Sequence, residues 1–339
     1  MLAFFVAAVI AGSGDAQTVR VISDRVLQGD AQRALDVRWA SADSVYVASF
    51  FTGVHRVHAA TGKVTPAAFV RPGRTCPSCS HLGVSRQYIA TSFPVHQLAW
   101  KEWNRPEVHD YMFDAVVDLD IHGDRLLILG SRTEKGKWAP DGAIAWAGSL
   151  GMGLRDLRPV LFSTQGPKAE VISRCGFLEP GALRFFADGS FFIVPGVEPG
   201  AYLYDRTGKL VHTWQTSGLG FVDRCDLSEK QVVTFSADPE QRARWRAGKV
   251  MIDDVLPTPD GPALLLHEYR DGTARWTMLV LRRNGKPQRI ALPFSVPSDV
   301  ASLRADIQGK RIVFLVRTFG SWRKNAQPQS ARLIVAELQ

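Results

Sequence analysis

A short unit returns along this 339-residue chain: apolar strand, tight turn, second strand, and then a hairpin closed by Thr-Gly-Lys or Asn-Gly-Lys. Its clearest copy is Ala201-Tyr202-Leu203-Tyr204-Asp205-Arg206-Thr207-Gly208-Lys209-Leu210-Val211. Val54 to Val64 repeats it around Thr61-Gly62-Lys63, and Met278 to Pro287 repeats it around Asn284-Gly285-Lys286. Recurrence of one small sheet constrains the fold more than any other feature. A single meander leaves a hydrophobic face and an edge uncovered, and stacked copies cover both.

Alternation and turn residues divide the chain into six or seven such units. The first takes strands from Ala34 to Ala40 and Ser44 to Phe50, then the Gly62 hairpin. The second has its best strand in Arg86 to Phe93, and its later part, Trp100 to Asp110, reads as irregular. The third runs from Val116 to Ile121, through His122-Gly123-Asp124 and Arg125 to Ser131, to Ala143–Ala147 and Pro159–Phe162. The fourth, Leu183 to Trp214, is a complete four-stranded meander. A weak fifth covers Phe221 to Phe235 and either stands alone or merges with a neighbour. The sixth spans Asp254 to Leu292, and the last ends with Arg311–Arg317 and Arg332–Glu337. No long helix is expected, although Asp238 to Arg246 suits a turn or two. The final strand lacks a following partner, and so does Thr18 to Leu27. The expected fold is therefore an all-β propeller of six or seven four-stranded blades, with the N-terminal strand closing the last blade.

The hairpin phrases, Tyr204-Asp205-Arg206-Thr207-Gly208-Lys209-Leu210-Val211 above all, resemble the TolB-like and NHL-like β-propellers of exported bacterial proteins. The resemblance covers most of residues 18–339. That group includes binding scaffolds, lactonases and lyases, so it implies a shape rather than a reaction.

Leu2 to Ala11 is apolar and uncharged, and small residues follow at Gly14 and Ala16. Residues 1–16 read as a signal peptide and 17–339 as one propeller domain, in the periplasm or secreted. The run is too short for a helical membrane span, and no transmembrane segment is expected elsewhere. The formal charge is +8. Its basic residues are scattered without a run of five, which argues against nucleic acid as a partner and leaves a monomer with an arginine-rich surface.

Cys76, Cys79, Cys175 and Cys225 form an even set in an exported chain and read as disulfides with three possible connectivities. Cys76–Cys79 and Cys175–Cys225 are the natural pairs. A haem-attachment reading fails because Ser80, not histidine, follows Cys79, and zinc on Cys76, Cys79 and His81 lacks a fourth ligand. Ser173-Arg174-Cys175-Gly176 and Asp223-Arg224-Cys225-Asp226 both lie where a loop leads into the first strand of a unit, and Arg74 lies comparably before Cys79. Arg174, Arg224, Arg74 and His81 are the candidate ligand-binding residues, because guanidinium forks at one mouth of the channel suit carboxylate or phosphate. Pairing of each arginine with a local acid, Asp223, Asp226 or Glu179, is the plainer alternative.

Asp118, Asp120 and His122 alternate onto one strand face and are weak metal candidates. The plainer reading is a solvated face ending in a turn. Asp253, Asp254 and Asp299 precede or begin later first strands. No Gly-x-Ser-x-Gly elbow or phosphate loop occurs. Trp100, Trp103, Trp138 and Trp146 are expected to pack between blades. The sequence therefore supports a non-enzymatic module without a cofactor, binding a partner protein or small anionic ligand at one mouth. Loops 71–81, 100–110 and 132–142 would provide the surface. The alternative is a lactonase-like hydrolase or lyase with a divalent metal or polar site near the axis.

Overall fold

The computed structural model describes residues 17–50, 52–69, 79–93, 97–113, 115–131, 133–134, 137–138, 142–163, 181–196, 198–222, 227–228, 230–231, 234–235, 238–297, 301–318 and 330–339. The leader at 1–16 and Arg74, Cys76, Arg174, Cys175, Glu179, Arg224, Cys225 and Asp299 lie outside the described residues.

β1 (Val19–Val26) comes first in the chain and is followed by blade one: β2 (Ala34–Ser41), β3 (Ser44–Ser49), β4 (Gly53–His58) and β5 (Val64–Ala68). Blade two is β6 (His81–Val84), β7 (Tyr88–Phe93), β8 (Gln97–Glu102) and β9 (His109–Met112). Blade three begins with β10 (Ala115–His122) and β11 (Arg125–Ser131). A small hairpin, β12 (Thr133–Glu134) and β13 (Lys137–Trp138), leads from there to β14 (Ala143–Ser149) and β15 (Arg155–Phe162). Blade four is β16 (Ala182–Phe185), β17 (Phe191–Val194), β18 (Ala201–Tyr204) and β19 (Leu210–Trp214). A short helix, α1 (Pro239–Arg246), precedes blade five, which is β20 (Val250–Thr258), β21 (Gly261–Arg270), β22 (Thr273–Val280) and β23 (Gln288–Val296). Blade six contains β24 (Ala301–Gln308), β25 (Arg311–Thr318) and β26 (Ser330–Leu338).

Five sheets are meanders in chain order, and the sixth is ordered β1-β26-β25-β24. The N-terminal strand is thus the outer strand of the last blade. It pairs antiparallel with β26 from Val19↔Leu338 to Val26↔Arg332. The ends are tied further by Arg20–Glu337 at 2.8 Å and by the backbone bond from Gln339 N to Thr18 O at 2.9 Å. The inner strands β2, β6, β10, β16, β20 and β24 touch in that order, and β24 returns to β2.

Six blades form, not seven. The weak fifth unit is not a blade: its described part leads into α1, with Phe221 packed against the apolar wedge of blade five and Val222 N donating to Val250 O at 2.8 Å. Trp100 to Asp110 is more regular than expected, because β8 and β9 include its two ends. The recurrent glycine hairpins are the outermost turns of blades one, four and five. In blade four, Gly208 adopts φ +87°, and Asp205 Oδ1 accepts from the N–H groups of Thr207 at 2.8 Å and Lys209 at 3.0 Å.

The core consists of wedges between adjacent blades. Leu82 and Ile89 meet Ala48 and Val54 between blades one and two, and Leu119 and Leu126 meet Leu98 and Trp100 between two and three. Alternation along a middle strand feeds two wedges at once. Phe191 and Ile193 face blade three, while Phe192 and Val194 face blade five. Middle strands therefore read as unbroken apolar runs, as expected where both faces are covered. Trp100 and Trp146 pack between blades two and three as expected, and the Trp100 indole donates to Gly151 O at 3.0 Å.

Candidate functional site

Each inner strand ends its sheet on the axial side, so the N–H groups on that edge have no ladder partner. Aspartates of the preceding blade supply one. Asp36 Oδ2 accepts from Leu82 N at 2.8 Å, which joins blade one to blade two. Asp118 Oδ2 takes Leu183 N at 3.0 Å and Asp120 Oδ2 takes Phe185 N at 2.8 Å, joining three to four. Asp253 Oδ2 and Asp254 Oδ2 take Leu303 N at 2.8 Å and Ala305 N at 2.9 Å, joining five to six. Asp306 Oδ2 takes Trp39 N at 2.7 Å and closes the ring from six to one. Four of these carboxylates also cap the next N–H of their own strand, at Val37, Leu119, Val255 and Ile307, within 3.0 Å. Asp36, Asp118 and Asp254 each follow an irregularity in strand register, which turns the side chain along the axis.

The other two interfaces use different devices. Between blades two and three, a Cβ at Gly83 would stand 2.9 Å from Leu119 Cδ1, so glycine permits the strands' close approach. Between four and five, Arg184 spans the axis, donating through Nη1 to Asp118 Oδ2 at 2.7 Å and through Nη2 to Asp254 Oδ1 at 2.6 Å. Arg304 Nη1 approaches the same two carboxylates at 3.8 and 3.9 Å. Arg38 Nη1 donates to Asp36 Oδ1 at 2.8 Å and to Val37 O at 2.7 Å. Three arginines and three aspartates thus share a buried layer across the channel.

Electrostatics divides the acids. Burial pushes Asp118 upward, but Arg184, Arg304 and Arg38 outweigh it and hold the group at about 2. Burial pushes Asp36 upward too, but Arg38, Arg304 and Arg184 together hold it below the ordinary aspartate value. For Asp120 burial wins against Arg184 and Arg38 and lifts the group to about 6. Asp306 is also raised by burial, against Arg38 and the Trp39 N–H.

These placements correct the expectation of a solvated face at β10, since Asp118 and Asp120 are buried. His122 is half-buried at the end of the strand, with its ring 5.6 Å from that of Phe185. Among the described residues no three His, Cys, Asp or Glu side chains are grouped to hold a metal ion; the acids are committed to backbone N–H groups and arginines. His81 opens β6, half-buried, with Nδ1 2.7 Å from Ser92 Oγ. Burial, with Arg304 nearby, lowers it to about 4, so it is a neutral polar group at neutral pH rather than a cation. Cys79 is buried, and its expected partner Cys76 is outside the described residues. Burial pushes Asp253 upward, but His267, bonded to it at 2.8 Å, together with the Trp276 indole and the Leu303 N–H holds it low. The Trp276 indole donates to its other oxygen at 2.8 Å, and this pair belongs to the clasp between blades five and six.

At the end where the inner strands leave the axis, a cavity of about 780 Å³ takes lining from all six blades: Arg38, Val84, Asp120, Phe185, Thr258 and Asp306 in blade order. Trp39, Ile121, Phe186 and Ile307 add apolar wall. This is the mouth opposite the one expected to carry Arg174 and Arg224. Arg38, Arg184, Arg304, Asp36 and Asp306 are site residues that the sequence reading did not single out. Their trace is a charged pair two residues apart in the first strand of a unit, Asp36-Val37-Arg38, Asp118-Leu119-Asp120 or Arg304-Ala305-Asp306.

No protein-family model and no curated protein matches the chain. Among solved structures, a member of the DUF4221 family from Bacteroides vulgatus is similar over 96% of this chain and 99% of its own, with a TM-score of 0.55 at 7% identity. The β-propeller domain of Cps50 (Swd1) from Myceliophteria thermophila covers 92% of this chain and 99% of its own, with a TM-score of 0.46 at 11% identity. The WD40 β-propeller domain of Doa1 covers 95% and 97%, with a TM-score of 0.41 at 9% identity. The first of these likenesses agrees with the propeller fold, and none of them assigns an activity.

Proposed function

We propose that this six-bladed propeller is an exported binding module. It receives an anionic ligand, or an anionic tip of a partner protein, in the axial cavity where the inner strands end. The observation that carries the reading is a cavity of about 780 Å³ built by all six blades, in which apolar side chains such as Trp39, Ile121 and Phe185 stand beside Arg38, Arg283, Asp120, Asp188, Asp260 and Asp306. Ligand sites of roughly 300–1,000 Å³ have this composition, with a few fixed polar groups setting orientation. The acids of the layer beneath are engaged in holding blades together, which favours recognition over a metal-dependent hydrolase or lyase. Export rests on the pattern from Leu2 to Ala16, and kinship with TolB-like or NHL-like propellers rests on the hairpin phrases. N-terminal sequencing of the mature protein tests the first.

Blocking the mouth tests the site. Ser190 is half-buried in the turn after β16 and lines the cavity. Native mass spectrometry of wild-type protein incubated with metabolite extracts and acidic peptides should show retained species that Ser190→Trp loses. Met152→Trp, on an outer surface 79% exposed, should keep them. Equal retention by both variants would remove the cavity from consideration, and turnover of a retained species would favour the enzyme reading.

A further inference from the structure

We propose that the inner end of this cavity receives an ammonium group, held by the second carboxylate oxygen of Asp120. The inference rests on the binding-module reading and specifies its ligand: a negatively charged molecule that also carries an amine. The amine enters first, and the negative group stays toward solvent, where the exposed Arg283 stands. Asp120 is 7% exposed and lines the cavity. Its Oδ2 is used by the Phe185 N–H at 2.8 Å. Its Oδ1 accepts no hydrogen bond from any described residue and is not sealed beneath them, so it is an acceptor open to the cavity. A buried carboxylate with one oxygen unused favours a donor from outside, and a charged donor most of all.

The surroundings set the sign of that donor. In the layer beneath, Arg38 is bonded to Asp36, Arg184 is bonded to Asp118 and Asp254, and Arg304 lies near the last two. Three arginines there meet three aspartates, and Asp120 and Asp306 are additional to that balance. Asp188 and Asp260 join them in the lining, where the guanidinium groups are Arg38, already engaged, and Arg283. The Ser190 hydroxyl and N–H hold Asp188 below the ordinary aspartate value. Neither Arg38 nor Arg184 donates to Asp120; burial outweighs their longer-range pull and lifts the group to about 6. Trp39, Ile121, Phe185 and Phe186 give the rest of the ligand an apolar surface.

Asp120 is faced by Arg184 and the Phe185 N–H from β16, by Arg38 from β2 and by Asp306 from β24. Asp118 and His122 share its own strand, β6 presents uncharged Gly83 and Val84, and β20 presents Thr258. With Asp120 at about 6, its ionised fraction grows about tenfold from pH 5 to 7.5, and amine binding tightens with it.

Titration calorimetry with 4-phenylbutylamine, 4-phenyl-1-butanol and 4-phenylbutyrate tests this. The amine should bind wild-type protein at least about tenfold tighter than the alcohol. Asp120→Asn keeps an acceptor for the Phe185 N–H, and should abolish that preference while leaving alcohol binding in place. It should also lose most of the pH dependence; a rise that persists in the variant would assign the effect to Asp306 or His122 and overturn the role of Asp120. Equal binding of amine and alcohol to wild type, both lost in Ser190→Trp, would overturn the ammonium site while the cavity stands, and so would tighter binding of the butyrate. Amine binding that survives Ser190→Trp would overturn the site and the cavity reading together. Absence of binding by all three probes would overturn the ammonium site, and the Ser190-dependent retention of extract species then judges the cavity by itself. Should Asp120→Asn fail to fold, the amine-to-alcohol ratio and the pH profile of wild type decide the matter without it.

Discussion

Removal of Arg184 tests whether the charged layer holds the ring closed. The side chain is 2% exposed and joins carboxylates of blades three and five, which do not otherwise share a strand. Arg184→Met keeps most of the volume and deletes both contacts, at 2.7 and 2.6 Å. Breaking a buried ion pair from one side costs about 3–5 kcal/mol, because the partner charge stays behind. Here each carboxylate keeps two backbone donors, and Arg304 remains within 4 Å of both, which places the cost near the lower bound, about 3 kcal/mol. With an unfolding entropy of roughly 0.7 kcal/mol/K for a chain of this length, the melting temperature should fall by about 4 °C. Replacing Asp254 with Asn in the same molecule removes one negative charge and should restore at least half of the loss.

The pH dependence follows from linkage. Asp118 has a folded-state value of about 2, below the ordinary 3.8, so its contribution is present above about pH 4 and is lost as pH falls toward 2. Without Arg184 that value rises, so the deficit of the variant should shrink at pH 4 relative to pH 7. Calorimetric scans at both pH values, with urea unfolding at pH 7, supply the measurement. The surface pair Arg20–Glu337 is the control, because Arg20 is 61% exposed and its loss should cost less than about 1 kcal/mol. An Arg184→Met shift no larger than that of Arg20→Met would refute the reasoning.

Other perturbations probe separate parts of the architecture. Asp120→Asn preserves an acceptor for the Phe185 N–H and removes a buried charge. The folded-state value of about 6 lies above the unfolded one, so this group lowers stability as pH rises from about 4 to 6; the variant should be more stable than wild type at pH 8 by about 2 kcal/mol and similar at pH 4, read by chemical unfolding. Deletion through Leu27 removes β1 and exposes the edge of β26, so size-exclusion chromatography should show aggregation in place of a single species. Gly208→Ala forces a side chain into φ +87° and should cost about 1 kcal/mol by thermal scanning, with no change in ligand retention.

Much of the fold was legible in one chain. Strand alternation, Asp-Gly and Gly-Lys turns and the partnerless segment from Thr18 to Leu27 are local signals, and they describe blades three and four and the closure by β1 closely. Blade number was less legible, because Phe221 to Phe235 has a strand-like composition, whereas its described part leads into α1 and adds no strand to any sheet. The binding surface was the least legible. Arginines flanking cysteines point to one mouth, but Arg174 and Arg224 lie outside the described residues, and the described cavity is at the other end; Asp118 and Asp120 read as solvated although they are buried clasps.

Local order in the polypeptide determined the repeating sheet, the hairpins and the strand that joins the ends, since each depends on residues a few positions apart. Tertiary structure decided the charged layer, because Arg38, Arg184 and Arg304 are separated by more than a hundred residues each and meet only when the ring closes. Burial then decided their chemistry: the same aspartate type sits at about 2 or about 6 according to how many guanidinium groups reach it through a medium that excludes water.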